Sequence, residues 1–122
     1  VTDLETMRIG EVAEQTSLSL RTLRHYEDIG LVIPSARTDG GFRLYTERDV
    51  ARLLIVRRMK PLGYTLEEMS ALLRVVDDLE RDESPELRSR LTEIREEARL
   101  RREQLAARVD MADEFLARLD DI

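Results

Sequence analysis

Cysteine and tryptophan are absent from the 122 residues, and histidine occurs once. Without cysteine the chain holds no disulfide scaffold, thiolate zinc site, iron–sulfur cluster or cysteine redox switch. His25 alone has no partners for a metal site, so neither a metal nor a cofactor is expected. Aromatic residues supply only 4% of the chain while charged residues supply 38%, which favours helices and dimer seams over a β-sandwich or a multi-domain enzyme. No apolar run approaches the roughly 20 residues of a membrane span. Residues 1 to 7 lack the basic flank and apolar stretch of a signal peptide. These absences lead to the expectation of a soluble, cytoplasmic protein with no membrane partner.

What is there is unevenly distributed. The formal charge is -6, yet residues 1 to 64 hold 10 Lys plus Arg against 9 Asp plus Glu, whereas 65 to 122 hold 10 against 17. Four of the five aromatics, Tyr26, Phe42, Tyr45 and Tyr64, also lie in the first part. A polyanionic partner responds to local patches, so the mean acidity does not exclude nucleic acid.

Ile9, Val12, Ala13 and Thr16 recur at helical spacing, and Ser17 and Ser19 offer acceptors to cap a new helix. That second helix, about Leu20 to Ile29, is expected to bury Leu20 and Leu23, to turn Arg21, Thr22, Arg24, His25 and Asp28 outward, and to end at Gly30. Two helices joined by a short turn have the layout of a helix-turn-helix, whose second helix fits the major groove. An ordinary amphipathic helix pair has the same pattern.

Pro34 forbids helix beyond it, and Asp39-Gly40-Gly41 supplies the φ > 0 positions of a tight hairpin. A β-ribbon with Arg37 on one strand and Phe42, Arg43 and Tyr45 on the other has the make-up of a DNA-gripping wing, in which guanidiniums meet phosphate and a ring packs along sugar. A solvated hairpin whose aromatics patch the core is the plainer reading.

Residues 47 to 60 read as a helix capped by Thr46, with Val50, Leu53, Leu54 and Met59 as the buried stripe. Thr65-Leu-Glu-Glu68 matches a capping box and opens a helix to about Val76. Residues 77 to 85, acidic and ending in Pro85, read as a linker. Residues 86 to 122 read as one helix of about 50 Å at 1.5 Å per residue. Leu87, Leu91, Ile94 and Ala98, then Leu105, Val109, Ala112, Leu116 and Leu119, step by 3 and 4 as in a coiled-coil seam, with Arg102 in the seam between the two runs at a four-residue stutter. Homodimerisation through this helix is the expectation.

Four ordered motifs, Ile9-Gly-Glu-Val-Ala, Arg21-Thr-Leu-Arg-His-Tyr-Glu-Asp-Ile-Gly-Leu-Val, Arg37-Thr-Asp-Gly-Gly-Phe-Arg-Leu-Tyr and Leu62-Gly-Tyr-Thr-Leu-Glu-Glu, make the chain resemble the MerR family of bacterial transcription regulators. The resemblance implies a mainly α fold: a winged helix-turn-helix domain over 1–76, a linker over 77–85 and an antiparallel coiled-coil dimerisation helix over 86–122. It also implies a homodimer that binds a pseudo-palindromic promoter in double-stranded DNA and distorts the spacer so that RNA polymerase engages both promoter elements. By motif, Arg21 and Arg24 reach base edges or phosphates, Tyr26 hydrogen-bonds the DNA backbone, Arg37, Phe42 and Arg43 form the wing's grip, and Tyr64 and Thr65 touch phosphate as a second wing. Thr22 and His25 complete the DNA-facing set.

Three positions depart from the family pattern. His25 replaces an aromatic and is either a phosphate donor when protonated or a neutral substitute. Phe42 replaces a tyrosine and loses its hydroxyl, leaving packing against sugar. Pro61 falls where a helix commonly ends and is expected to terminate it a turn early or kink it. The effector leaves no signature: without cysteine or an evident ligand domain, the chain is either a minimal regulator or one that has lost such a domain. It starts at Val1 rather than Met, so its numbering need not begin at the native start.

Other functions fit less of the pattern. An enzyme finds no phosphate loop, nucleophile turn or histidine partner for its many carboxylates. A coiled-coil adaptor has no reason to set Arg37 and Arg43 around a glycine turn. An architectural, excisionase-like DNA binder shares the wing but recruits no polymerase.

Overall fold

A computed structural model of the chain describes residues 6–122. They fall into two compact units, one ending at Ser70 and the other running from Ala71 to Ile122.

The first unit begins with β1 (Thr6–Arg8), α1 (Ile9–Thr16) and α2 (Leu20–Asp28). Thr16 is buried and its hydroxyl donates to the Val12 carbonyl at 2.7 Å, closing α1. Ser17 then takes a left-handed conformation, φ 58°, and so serves as the C-cap of α1 rather than as a cap for the next helix. Ser19 caps α2 by accepting from the Thr22 N–H at 3.0 Å. Leu23 and Tyr26, three residues apart, form the buried face of α2, whereas Leu20 is 40% exposed. The expected Leu20–Leu23 face is thus corrected by one turn: Leu20 lies at the open helix start, and the Tyr26 ring takes the interior place. Gly30, at φ 76°, ends α2 as expected.

β2 (Ala36–Arg37) and β3 (Arg43–Thr46) form the hairpin around Gly41, φ 83°. Its turn is closed by Gly41 N–H to Thr38 O and Thr38 N–H to Phe42 O, both at 2.9 Å. β1 adds a third strand that the hairpin pattern did not announce, giving an antiparallel sheet of order β1-β3-β2 with Met7 opposite Tyr45 and Arg37 opposite Arg43. Three residues are too few for alternation to reveal a strand.

α3 (Glu47–Met59) starts from a reciprocal capping box between Thr46 and Asp49. It buries Val50, Leu53, Val56 and Met59; Leu54, expected in that stripe, is only half-buried, and Val56 stands in its place. Pro61 ends α3 early, as expected: a 3-10 turn over Lys60–Leu62 follows Met59, and Gly63 closes it at φ 85°. α4 (Leu66–Arg81) opens with the expected box, Glu68 N–H to Thr65 Oγ1 at 3.1 Å and Thr65 N–H to Glu68 Oε1 at 2.9 Å.

In the second unit, α4 runs to Arg81 rather than Val76 and α5 (Pro85–Asp120) starts at Pro85. The linker expected over 77–85 is therefore reduced to 82–84. Acidic residues are compatible with helix, and proline is favourable in a first helical turn, where Ser84 caps by accepting from the Leu87 N–H at 3.1 Å. Leu73 and Val75 of α4 are buried, but no residue of α5 is. On α5, Leu87, Leu91, Ile94, Ala98 and Leu105 are half-buried, and so is Arg101. Arg101, paired with Glu97 at 2.8 Å, belongs to the half-buried stripe of the single chain, while Arg102 is exposed. Steps of 3 and 4 from Ala98 to Leu105 are satisfied by either residue. Val109, Ala112, Leu116 and Leu119 are all exposed. Among the described residues no helix is long and apolar enough to cross a membrane.

Candidate nucleic-acid interface

The outward face of α2 carries Arg21, Arg24 and His25, all exposed, with Thr22 half-buried beside them. Ser19 Oγ donates to Thr22 Oγ1 at 2.9 Å while accepting from the Thr22 N–H, so the cap also fixes the Thr22 rotamer. Among the described residues neither Arg21 nor Arg24 forms an ion pair that would turn it inward, and each lines an open cleft on its own flank of α2.

One cleft, about 580 Å³, is bounded by Arg21, Thr22, His25 and Tyr26 on α2 and by Lys60, Tyr64 and Thr65 beyond α3. It brings together the recognition helix and both residues expected of a second wing, which are about forty positions away in sequence. Lys60 adds a cation that sequence reading did not single out. Tyr26 lines this cleft although it is almost wholly buried, and burial pushes its hydroxyl pKa up. At the cleft's far wall the capping box occupies the Thr65 N–H and hydroxyl, which leaves the neighbouring N–H groups of the α4 first turn as donors there.

The other cleft, about 630 Å³, runs between the start of α1, Arg24 and the wing residues Gly41, Phe42 and Arg43. Phe42 is 61% exposed, and the Arg8 guanidinium lies 5.4 Å from its ring centroid in a cation–π arrangement. Arg8 precedes the Ile9-Gly-Glu motif and was missed because its partner ring lies more than thirty residues on.

The wing arginines are arranged differently from the expected pair of free guanidiniums. Arg37 Nη2 donates to Glu27 Oε2 at 2.5 Å, and Arg43 Nε donates to Glu27 Oε1. Arg37 Nη1 also donates to the Gly41 carbonyl at 3.0 Å, bracing the turn. The hydrogen bond to Glu27 holds the Arg43 guanidinium pKa above its already high value. Glu27 is a site residue the sequence reading did not select; it stands beside Asp28 at the end of a helix that carries Arg21 and Arg24, and an acid there reads equally well as a solvated position. Among the described residues no group of three His, Cys, Asp or Glu is placed to hold a metal ion.

A two-helix turn unit, a β-ribbon wing beside it and cationic clefts on both flanks of the second helix define a winged helix-turn-helix nucleic-acid-binding protein. Residues 7–75 match the MerR HTH family regulatory protein family, and residues 50–120 match the family described as "MerR, DNA binding". The chain is 44% identical over 77 residues to the mercuric resistance operon regulatory protein of Bacillus cereus, covering 63% of this chain and 56% of that protein, so it spans little more than half the length of that relative. It is 33% identical over 111 residues to the HTH-type transcriptional regulator CueR of Vibrio cholerae, covering 91% of this chain and 79% of CueR. The crystal structure of the N-terminus of MtaN, the Bacillus subtilis multidrug transporter activator, superposes with a TM-score of 0.60 at 31% identity, covering 93% of this chain and 94% of that one. The chain belongs to the MerR family of DNA-binding transcriptional regulators.

Proposed function

We propose that the chain binds a pseudo-palindromic promoter as a homodimer, with α2 in the major groove and the wing and the Tyr64–Thr65 corner on flanking phosphates. The observation that carries this reading is the placement of cations on both sides of the exposed α2 face: Arg21 and Lys60 in one cleft, Arg8, Arg24 and Arg43 in the other. Arg24 is assigned to base edges and Arg43 to phosphate, with Phe42 packing along sugar. Exposed Val109, Leu116 and Leu119 at seam spacing support α5 as the element that pairs two protomers, since a helix uncovered over this length gains stability from a partner.

Two such modules held at fixed separation read two half-sites, and spacer distortion costs several kcal/mol by elastic measures, to be offset by contacts from both protomers. RNA polymerase is the next partner in this reading. The metal and drug in the relatives' names are properties of those proteins; among the described residues of this chain no group of three His, Cys, Asp or Glu is placed to hold a metal ion.

The test is a gel-shift titration against the DNA upstream of the chain's own gene, at two salt concentrations, with unrelated DNA as competitor. Specific binding that weakens steeply with salt is expected. Equal affinity for the competitor would reduce the function to non-specific DNA binding, and in-vitro transcription from the bound promoter then separates a regulator from an architectural protein.

A further inference from the structure

The recognition helix and the wing are separate elements joined through one carboxylate. Glu27, on α2, accepts from Arg37 through one oxygen and from Arg43 through the other, and its side chain is only 14% exposed. Arg37 and Arg43 are cross-strand partners, so this single group reaches both strands of the hairpin. The two arginines are committed to different extents. Arg37 uses both terminal nitrogens within the protein, one on Glu27 and one on Gly41. Arg43 uses Nε alone, and its Nη1 and Nη2 have no partner among the described residues.

A carboxylate on Nε fixes the plane of a guanidinium and leaves its end-on pair of N–H bonds, one on Nη1 and one on Nη2, pointing away from the acid. Arg43 is held in this way at the edge of the cleft it shares with Arg24 and Phe42. By charge alone an acid at this place opposes a polyanion; by geometry it removes rotamer freedom that binding would otherwise have to remove. The two effects have opposite signs, which makes the position informative.

We propose that Glu27 is a positioning residue for DNA binding, locking the wing to the recognition helix and presenting Nη1 and Nη2 of Arg43 to a phosphate. This rests on the reading of the wing as a DNA grip.

The experiment is fluorescence anisotropy on the promoter duplex with the wild-type chain, Glu27→Gln, Arg43→Ala and the double variant, each checked for native helicity by circular dichroism. Glutamine keeps the shape but offers one acceptor for two guanidiniums. Glu27→Gln is expected to weaken binding about tenfold, the equivalent of ordering one or two long side chains, even though it removes a negative charge. The double variant should lose clearly less than the product of the two single losses, because part of the Glu27 effect runs through Arg43 and only the Arg37 contact remains to be lost. Binding by Glu27→Gln as tight as wild type or tighter, or losses that multiply in the double variant, would overturn the proposal. An Arg43→Ala chain that binds like wild type would instead remove the wing grip on which it stands. Should Glu27→Gln fail to fold, Arg43→Lys serves in its place: it keeps the charge but cannot serve Glu27 and phosphate through separate nitrogens. A loss close to that of Arg43→Ala is expected, and wild-type affinity would count against the proposal.

Discussion

Asp49 holds Ser35 across fourteen residues of chain: Oδ2 accepts from the Ser35 N–H at 2.9 Å and Oδ1 from the Ser35 hydroxyl at 2.7 Å. The same carboxylate accepts from the Thr46 N–H at 2.9 Å, so one buried group caps α3 and pins the segment that leads into the wing. Asp49→Ala leaves these donors without their partner, and a loss of about 2 to 3 kcal/mol in urea unfolding is expected. A loss within experimental error of zero would mean that water replaces the carboxylate without cost.

Tyr45 is fully buried, and its hydroxyl finds no hydrogen-bond partner among the described residues. Tyr45→Phe deletes that oxygen while keeping the ring, and should stabilise the chain by about 1 kcal/mol. Destabilisation of that size would show that the hydroxyl is satisfied in solution.

Burial raises the pKa of both Tyr26 and Tyr45, with the Glu27 charge adding to the effect at Tyr45. A folded-state pKa above the ordinary 10.0 means that the folded chain holds these protons more tightly than the unfolded chain. Their contribution to stability is therefore complete below the ordinary value and is lost as pH rises from there through the folded-state pKa. The urea midpoint should fall across that alkaline range, and replacing both tyrosines with phenylalanine should flatten the fall.

Arg24 and Arg43 are expected to respond differently to DNA sequence. Arg24→Ala should cost about 1 to 3 kcal/mol on the operator and little on unrelated DNA if it reads a guanine in bidentate fashion. Arg43→Ala should weaken binding to all sequences and lower the salt slope by about 1. Interchanged behaviour would move the base reader to the wing.

The α5 stripe is testable without DNA. Leu91 is half-buried and Leu116 is 57% exposed, so aspartate at both places puts charge into any seam formed there. Sedimentation should then show monomers where the parent chain sediments as a dimer, while unchanged dimers would place the interface elsewhere.

Much of this was legible from local chemistry. The Thr65–Glu68 capping box, the Gly30 and Gly41 turns, the early end of α3 before Pro61 and the exposed α2 cations each depend on residues within a few positions of one another. The misreadings share a different cause. Leu54 and Val56 both fit helical spacing, and only the phase at which the helix lies against its surroundings separates them. The end of α4 was placed early because acidic runs and a proline were read as breakers, although both are compatible with helix in the positions they take here.

The sequence by itself determined the order of the helices and the hairpin, the basic recognition face, the glycine-turned wing and the periodic C-terminal helix, because propensity, capping and periodicity act over short distances. Tertiary structure alone decided that β1 joins the sheet, that Arg8 lies over Phe42, that Tyr64 and Lys60 share a cleft with α2, and that Glu27 takes both wing arginines. Each of these joins residues distant along the chain, and a carboxylate does not reveal which guanidinium it will meet until the backbone has brought them within a few ångströms.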